Sequence, residues 1–157
     1  MKANVGLNDK QRAGVVSLLM KTLADEYVLY TKTRNYHWNV TGPHFNDLHK
    51  FFESQYDEID AKIDEVAEFI RYFGDKAPAS LGGFLAIARL TEPQWDDPSA
   101  DQMIRNLVDD HEALIRSLRD DLETAGSKHK AADVADFLTG LLEGHEKMAW
   151  MLRSMLE

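Results

Sequence analysis

All four prolines, Pro43, Pro78, Pro93 and Pro98, lie outside the long stretches in which apolar residues return every three or four positions. That placement leaves room for uninterrupted helices and little else. Asn8, with Gln11 three residues on, resembles a capping box and opens a first helix over about 9–37, through Val15, Leu18, Leu19, Leu23, Val28 and Leu29. Thr41-Gly42-Pro43 reads as a turn, and a second helix follows over about 44–72, with Leu48, Phe51, Phe52, Tyr56, Ile59, Ile63, Val66 and Ile70 on its apolar face, ending at Gly74. Residues 74–98 form a long Gly- and Pro-containing connection, inside which Ser80 is placed to cap a short helix through Phe84, Leu85, Ile87, Ala88 and Leu90. Asp97-Pro98 starts a third long helix that runs to Gly126, and a fourth occupies about 131–155. Strand signals are absent. The expectation is a single all-α domain over 1–157, a bundle of four helices each about 40 Å long at 1.5 Å per residue. A short first turn makes the first two helices antiparallel, and one long crossover joins the second to the third.

The composition narrows the class of function. There is no cysteine among the 157 residues, which removes disulfide scaffolds and thiolate metal sites. The beginning of the chain has no apolar run suited to a signal peptide, and no stretch approaches a membrane span. A cytoplasmic protein is the expectation. The formal net charge of −9, from 18 basic and 27 acidic residues, repels phosphate and attracts cations. It therefore disfavours duplex DNA as a partner.

The end of the first helix and the length of the second hold His37, His49, Glu53, Asp64 and Glu68. Imidazole and carboxylate together suit borderline divalent metals such as iron. His49 with Glu53, and Asp64 with Glu68, are i,i+4 pairs that share one helix face. His49 and Asp64 are about 22 Å apart along a helix, so they cannot hold the same metal within one chain. Two copies of the second helix, antiparallel across a two-fold axis, would bring the His49 end of one to the Glu68 end of the other. Spacing permits that shared site without demanding it. Asp57, Glu58, Asp60 and Glu65 lie on the same helix, so a solvated acidic face is the competing explanation. The Glu-x-x-His motif of di-iron sites within one bundle is missing, because no histidine has a carboxylate three residues before it.

The segment His37-Trp38-Asn39-Val40-Thr41-Gly42, followed by Leu48-His49 and Glu53, resembles the signature of the Dps family, and Ile63-Asp64-Glu65-Val66-Ala67-Glu68 is similar to that family's second motif. The resemblance spans the four helices and the short helix of the connection. Phe69 departs from it, since many members have Arg there. What the resemblance implies is a ferritin-like four-helix subunit in a hollow dodecameric homo-oligomer. It also implies ferroxidase sites at two-fold interfaces, with His37 and His49 from one subunit, Asp64 and Glu68 from its partner, and Glu53 as a bridging or nucleating carboxylate. The implied activity is oxidation of Fe(II), by hydrogen peroxide in preference to oxygen, with storage of Fe(III) mineral and relief from oxidative damage. Some members also bind DNA, which leaves a nucleoid-compacting protein as the rival function. Lys2 and Lys10 are the only basic residues in the first ten.

The family reading places Trp38 near iron, where an indole could supply an electron or trap a radical; core packing at a helix end is its other explanation. His44 reads as a surface residue of the turn. His111, His129 and His145 have no ligand-spaced partners in sequence and read as structural. Met148, Met151 and Met155 read as core or interface packing. Asp133 and Asp136 open the fourth helix, where the helix dipole favours carboxylates. Their positions also resemble the acidic lining of the family's iron-entry pores.

Overall fold

A computed structural model describes residues 3–92 and 96–157. Lys2 and Pro93, both used above, lie outside the described residues. Five α-helices follow one another: α1 Asp9–Asn39, α2 Phe45–Tyr72, α3 Leu81–Ile87, α4 Ala100–Glu123 and α5 Ala132–Arg153. A π-helical turn, Thr124–Lys128, carries α4 toward α5. No strand occurs among the described residues. The long helices α1, α2, α4 and α5 make the bundle, with α1 packed on α2, α4 on α5, and both α3 and α4 against α1.

The caps explain where the helices begin. Asn8 and Gln11 form the reciprocal capping box at α1. The Ser80 hydroxyl accepts from Gly83 N–H at α3. At α4 the cap is Ser99, which accepts from Gln102 N–H, so the helix starts two residues after Pro98 rather than at Asp97-Pro98. The third helix of the sequence reading also stops short of Gly126 in α-helical form. Its last stretch widens into the π turn, where His129 N–H donates to the Thr124 carbonyl at 3.1 Å. Between α1 and α2, Gly42 takes φ +114°, a conformation that L side chains rarely adopt, which accounts for glycine in the Thr41-Gly42-Pro43 turn.

The core is a continuous column of Leu19, Leu23, Leu29, Phe52, Ile59, Ile70, Leu107, Leu114, Leu118 and Leu138, all essentially without exposure. Burying each such side chain contributes about 1.5–3 kcal/mol relative to leaving it in water. Met148 belongs to this core, but Met151 and Met155 are exposed in the single subunit. Phe84 is the buried anchor of α3 and stacks on Tyr27 of α1, with centroids 4.2 Å apart. Leu85 and Ile87, read from the sequence as part of a short apolar helix, are exposed. Seven residues make two turns, too little surface to bury on more than one side.

The long connection is tied to the bundle by charge. Arg89 bridges Asp25 of α1 at 2.7 Å and Asp121 of α4 at 2.6 Å. The backbone N–H groups of Arg89 and Leu90 also donate to Asp25 Oδ1. Asp25 is 1% exposed, so these bonds replace its lost hydration.

Candidate metal centre

The last turn of α1 and the first turns of α2 face each other across the Gly42 turn, and this brings His37 and His49 together. The His37 Nδ1–H donates to the His49 carbonyl at 2.7 Å, and the His49 Nδ1–H donates to the His37 carbonyl at 2.8 Å. A carbonyl oxygen can only accept, so both rings carry their proton on Nδ1. In the neutral ring this leaves each Nε2 with its lone pair, the state in which histidine ligates a metal. The rings stack at 3.8 Å, with Phe45 against His49 at 5.1 Å and Tyr56 edge-on to His37 at 5.2 Å. His37 is buried and His49 half-buried. The two rings are thus held in place by backbone acceptors and aromatic walls.

Glu53 stands one turn beyond His49 on α2 and is exposed. Asp64 and Glu68 lie further along the same unbroken helix, also exposed. Asp64 borders a cleft between α1, α2 and α3 lined by Leu23, Tyr27, Asp60 and Phe84. The helix therefore keeps the His37–His49 end and the Asp64–Glu68 end about 22 Å apart. Among the described residues no three His, Asp or Glu side chains converge closely enough to hold a metal ion.

Trp38 follows His37 on the last turn of α1. Its indole is 64% exposed, and its ring lies 5.3 Å from the Arg34 guanidinium carbon. The aromatic ring of α2 that touches His37 is Tyr56, while Phe45 touches His49. Heptad spacing from His49 to Tyr56 places them near one helix face, a signal masked by reading Tyr56 only as core. His44 is exposed at the N-terminus of α2. Asp133 and Asp136 are exposed on the opening turns of α5.

The structural reading of His111, His129 and His145 needs enlarging. All three are buried. The His129 ring seats on Gly14 of α1, and burial, with Lys128 and Lys10 nearby, lowers its pKa. His111 and His145 do have partners, with each other and with Glu26 across the bundle. The three positions are 85 and 34 residues apart in the chain, so no local spacing could reveal them.

The chain matches the Ferritin-like domain family over residues 16–157. A low temperature-induced protein of Nostoc is 49% identical over 99% of this chain and 87% of its own length. The DNA protection during starvation protein 2 of Bacillus anthracis is 37% identical over 90% of this chain and 96% of its own. Among solved structures, the Dps protein of Vibrio cholerae O1, described as a member of a superfamily of ferritin-like diiron-carboxylate proteins, superposes with a TM-score of 0.91. It is 32% identical and covers 100% of this chain and 98% of the other. The Dps of Thermosynechococcus elongatus gives 0.88 at 31% identity, over 94% and 93% of the two chains.

Proposed function

Because this chain belongs to the Dps family of ferritin-like proteins, we propose that it is a ferroxidase and iron-storage subunit that oxidises Fe(II) with hydrogen peroxide at sites shared between two copies. The observation that carries this reading is the reciprocal bonding of His37 and His49, which presents two Nε2 lone pairs from one end of the subunit. In the proposed site these bind one side of a ferrous pair. Asp64 and Glu68 of a second copy bind the other side, and Glu53 bridges. Histidine is a good donor to Fe(II), and carboxylates stabilise the harder Fe(III) product, so the mixed set favours oxidation. The reaction balances as two Fe(II), one hydrogen peroxide and two protons giving two Fe(III) and two waters. Consuming iron and peroxide together denies them to hydroxyl-radical chemistry.

Assembly into a closed dodecamer is part of the proposal. The isolated subunit exposes Trp38, Phe45, Leu81, Leu85 and Trp150, apolar surface suited to burial against other copies. No helix among the described residues is long and apolar enough to cross a membrane, and the proposed location is the cytoplasm. DNA protection, the role in the names of several relatives, follows here from removing Fe(II) and peroxide, since 18 basic residues against 27 acidic make a poor phosphate-binding surface. The experiment is an anaerobic Fe(II) titration followed by peroxide, with stoichiometry counted per subunit. Saturable Fe(II) binding and consumption of one peroxide per two Fe(II) are expected. Oxidation no faster than in buffer would overturn the reading.

A further inference from the structure

We infer that Phe69 is a positioning residue for iron oxidation. By stacking on Phe137 it holds α2 and α5 at a spacing that joins Asp133 and Asp136 to Glu65 and Glu68, so that Fe(II) is guided along one acidic surface to the Asp64–Glu68 half of the site. This rests on the iron-oxidation reading and adds to it the residue that connects cation capture with cation use.

Side chains join the antiparallel α2 and α5 at three levels. Gln55 Nε2 donates to the Met148 carbonyl at 3.3 Å, and the Lys62 stem lies over Gly144. At the third level the Phe69 and Phe137 rings stack face to face, with centroids 4.4 Å apart and planes inclined by 5°. Phe73 packs edge-on against Phe69 at 5.9 Å and braces the stack from α2. This last contact stands where α2 ends and α5 begins, beside the carboxylates that both helices carry there.

The stack divides the core from an acidic surface. Ile70 and Leu138, the residues that follow the two rings, are buried without exposure. Glu68 and Asp136, the residues that precede them, are exposed. One step along a helix turns by about 100°, so the two neighbours of each ring face opposite ways. A local two-fold axis relates antiparallel helices, which puts Glu68 and Asp136 on the same side of the pair. Glu65 and Asp133, each four residues before its ring, are exposed on that side too. Two carboxylates from each helix thus bracket the rings, and none of the four has a cationic partner among the described residues.

Phe69 stands where the family resemblance leads one to expect Arg. A guanidinium at this point would neutralise one carboxylate and repel an approaching cation. A phenyl ring ties the helices together and leaves all four charges in place. Packed helix axes lie about 8–10 Å apart, within the Debye length of about 10 Å at 0.1 M salt, so a divalent cation leaving the α5 pair is still in the field of the α2 pair. Without the stack, nothing at this end of the two helices sets that spacing.

The test measures initial rates of peroxide-driven Fe(II) oxidation by the assembled protein, over a range of Fe(II) concentrations at low ionic strength. Phe69→Leu keeps an apolar side chain at the junction and loses the stack. The expected result is a severalfold rise in KM with kcat unchanged, because saturating Fe(II) fills the site without guidance. Phe137→Leu should do the same, and the double variant should do no more than either. Phe69→Tyr, which restores a stacking ring, should return KM to its native value. A fall in kcat at native KM would show that the stack only supports the site, and native kinetics in Phe69→Leu would show that it does neither. Each of those results would overturn this inference alone. Oxidation by the unsubstituted protein no faster than in buffer would overturn the reading beneath it as well.

Discussion

Glu26 and His145 meet in the buried centre of the bundle, Oε1 2.8 Å from Nε2, and neither side chain is exposed. The chain of contacts goes on to His111, whose Nδ1 lies 3.0 Å from His145 Nδ1, so a single proton bridges the two rings. Glu26 Oε2 and His111 Nε2 have no protein partner. Burial, and to a lesser degree the neighbouring His145, push the His111 pKa well below its ordinary value of 6.5. The native state therefore resists the proton that the unfolded state accepts. Stability from this source is present above about pH 6.5 and is lost as the pH falls below it. Denaturant titrations between about pH 7.5 and 5 should show a progressive loss in the native protein and a shallower one in His111→Gln. Equal slopes would remove His111 from the acid response. Glu26→Ala should cost about 1–3 kcal/mol, because it strands a buried donor.

Arg89 should matter more than its place in a connection suggests. It neutralises Asp25 and Asp121, both buried, the latter with a carboxyl pKa raised mainly by burial. Arg89→Ala leaves two uncompensated carboxylates and should destabilise by about 3–5 kcal/mol. Arg89→Lys should recover little, since one ammonium cannot reproduce a guanidinium held by Nε on one side and Nη1 on the other. Thermal unfolding of the two variants checks this; a neutral Arg89→Ala would contradict it.

Gly14 is a packing position. A Cβ there would overlap the His129 ring, so the ring or the helix has to move. Gly14→Ala should be destabilising by about 1–3 kcal/mol despite the better helix propensity of alanine. In a double-mutant cycle, His129→Ala should relieve most of that cost. Additive effects would show that the close approach is not the cause.

Asp133 and Asp136, exposed at the start of α5, are proposed as part of an iron-entry lining. Asp133→Asn with Asp136→Asn should slow oxidation at low Fe(II) and low ionic strength, with the difference shrinking as salt screens the attraction. Unchanged uptake kinetics would take both residues off the path.

The bundle was readable because Leu19, Leu23, Phe52, Ile59, Leu114 and Leu138 recur at a period that only a helix satisfies, and because Asn8 and Ser80 are caps with local partners. The π turn was not readable: its hydrogen bonds run from His129 to Thr124 and from Ala131 to Ala125, and no residue pattern in Thr124–Lys128 marks them. The charges buried along α1 were equally hidden. Asp25, Glu26 and Lys32 find Arg89, His145 and Asp110 at separations of 64, 119 and 78 residues, so their helix reads as mixed until its neighbours are in place. At the metal centre, residue types and spacing indicated His37 and His49, but only the folded turn fixes their Nδ1–H tautomers. Trp38 was singled out for its neighbour in sequence, whereas Tyr56 adjoins His37 only in space.

The central claim, that one subunit carries two separated halves of an iron-oxidising site, is tested most directly by complementation. One variant carries His37→Ala with His49→Ala, the other Asp64→Ala with Glu68→Ala. Each should assemble and lose fast peroxide-driven Fe(II) oxidation. Assemblies refolded from an equal mixture, with mixing verified by mass spectrometry, should regain a fraction of the native rate, because some interfaces pair an intact histidine half with an intact carboxylate half. Verified mixed assemblies with no recovered activity would contradict the account.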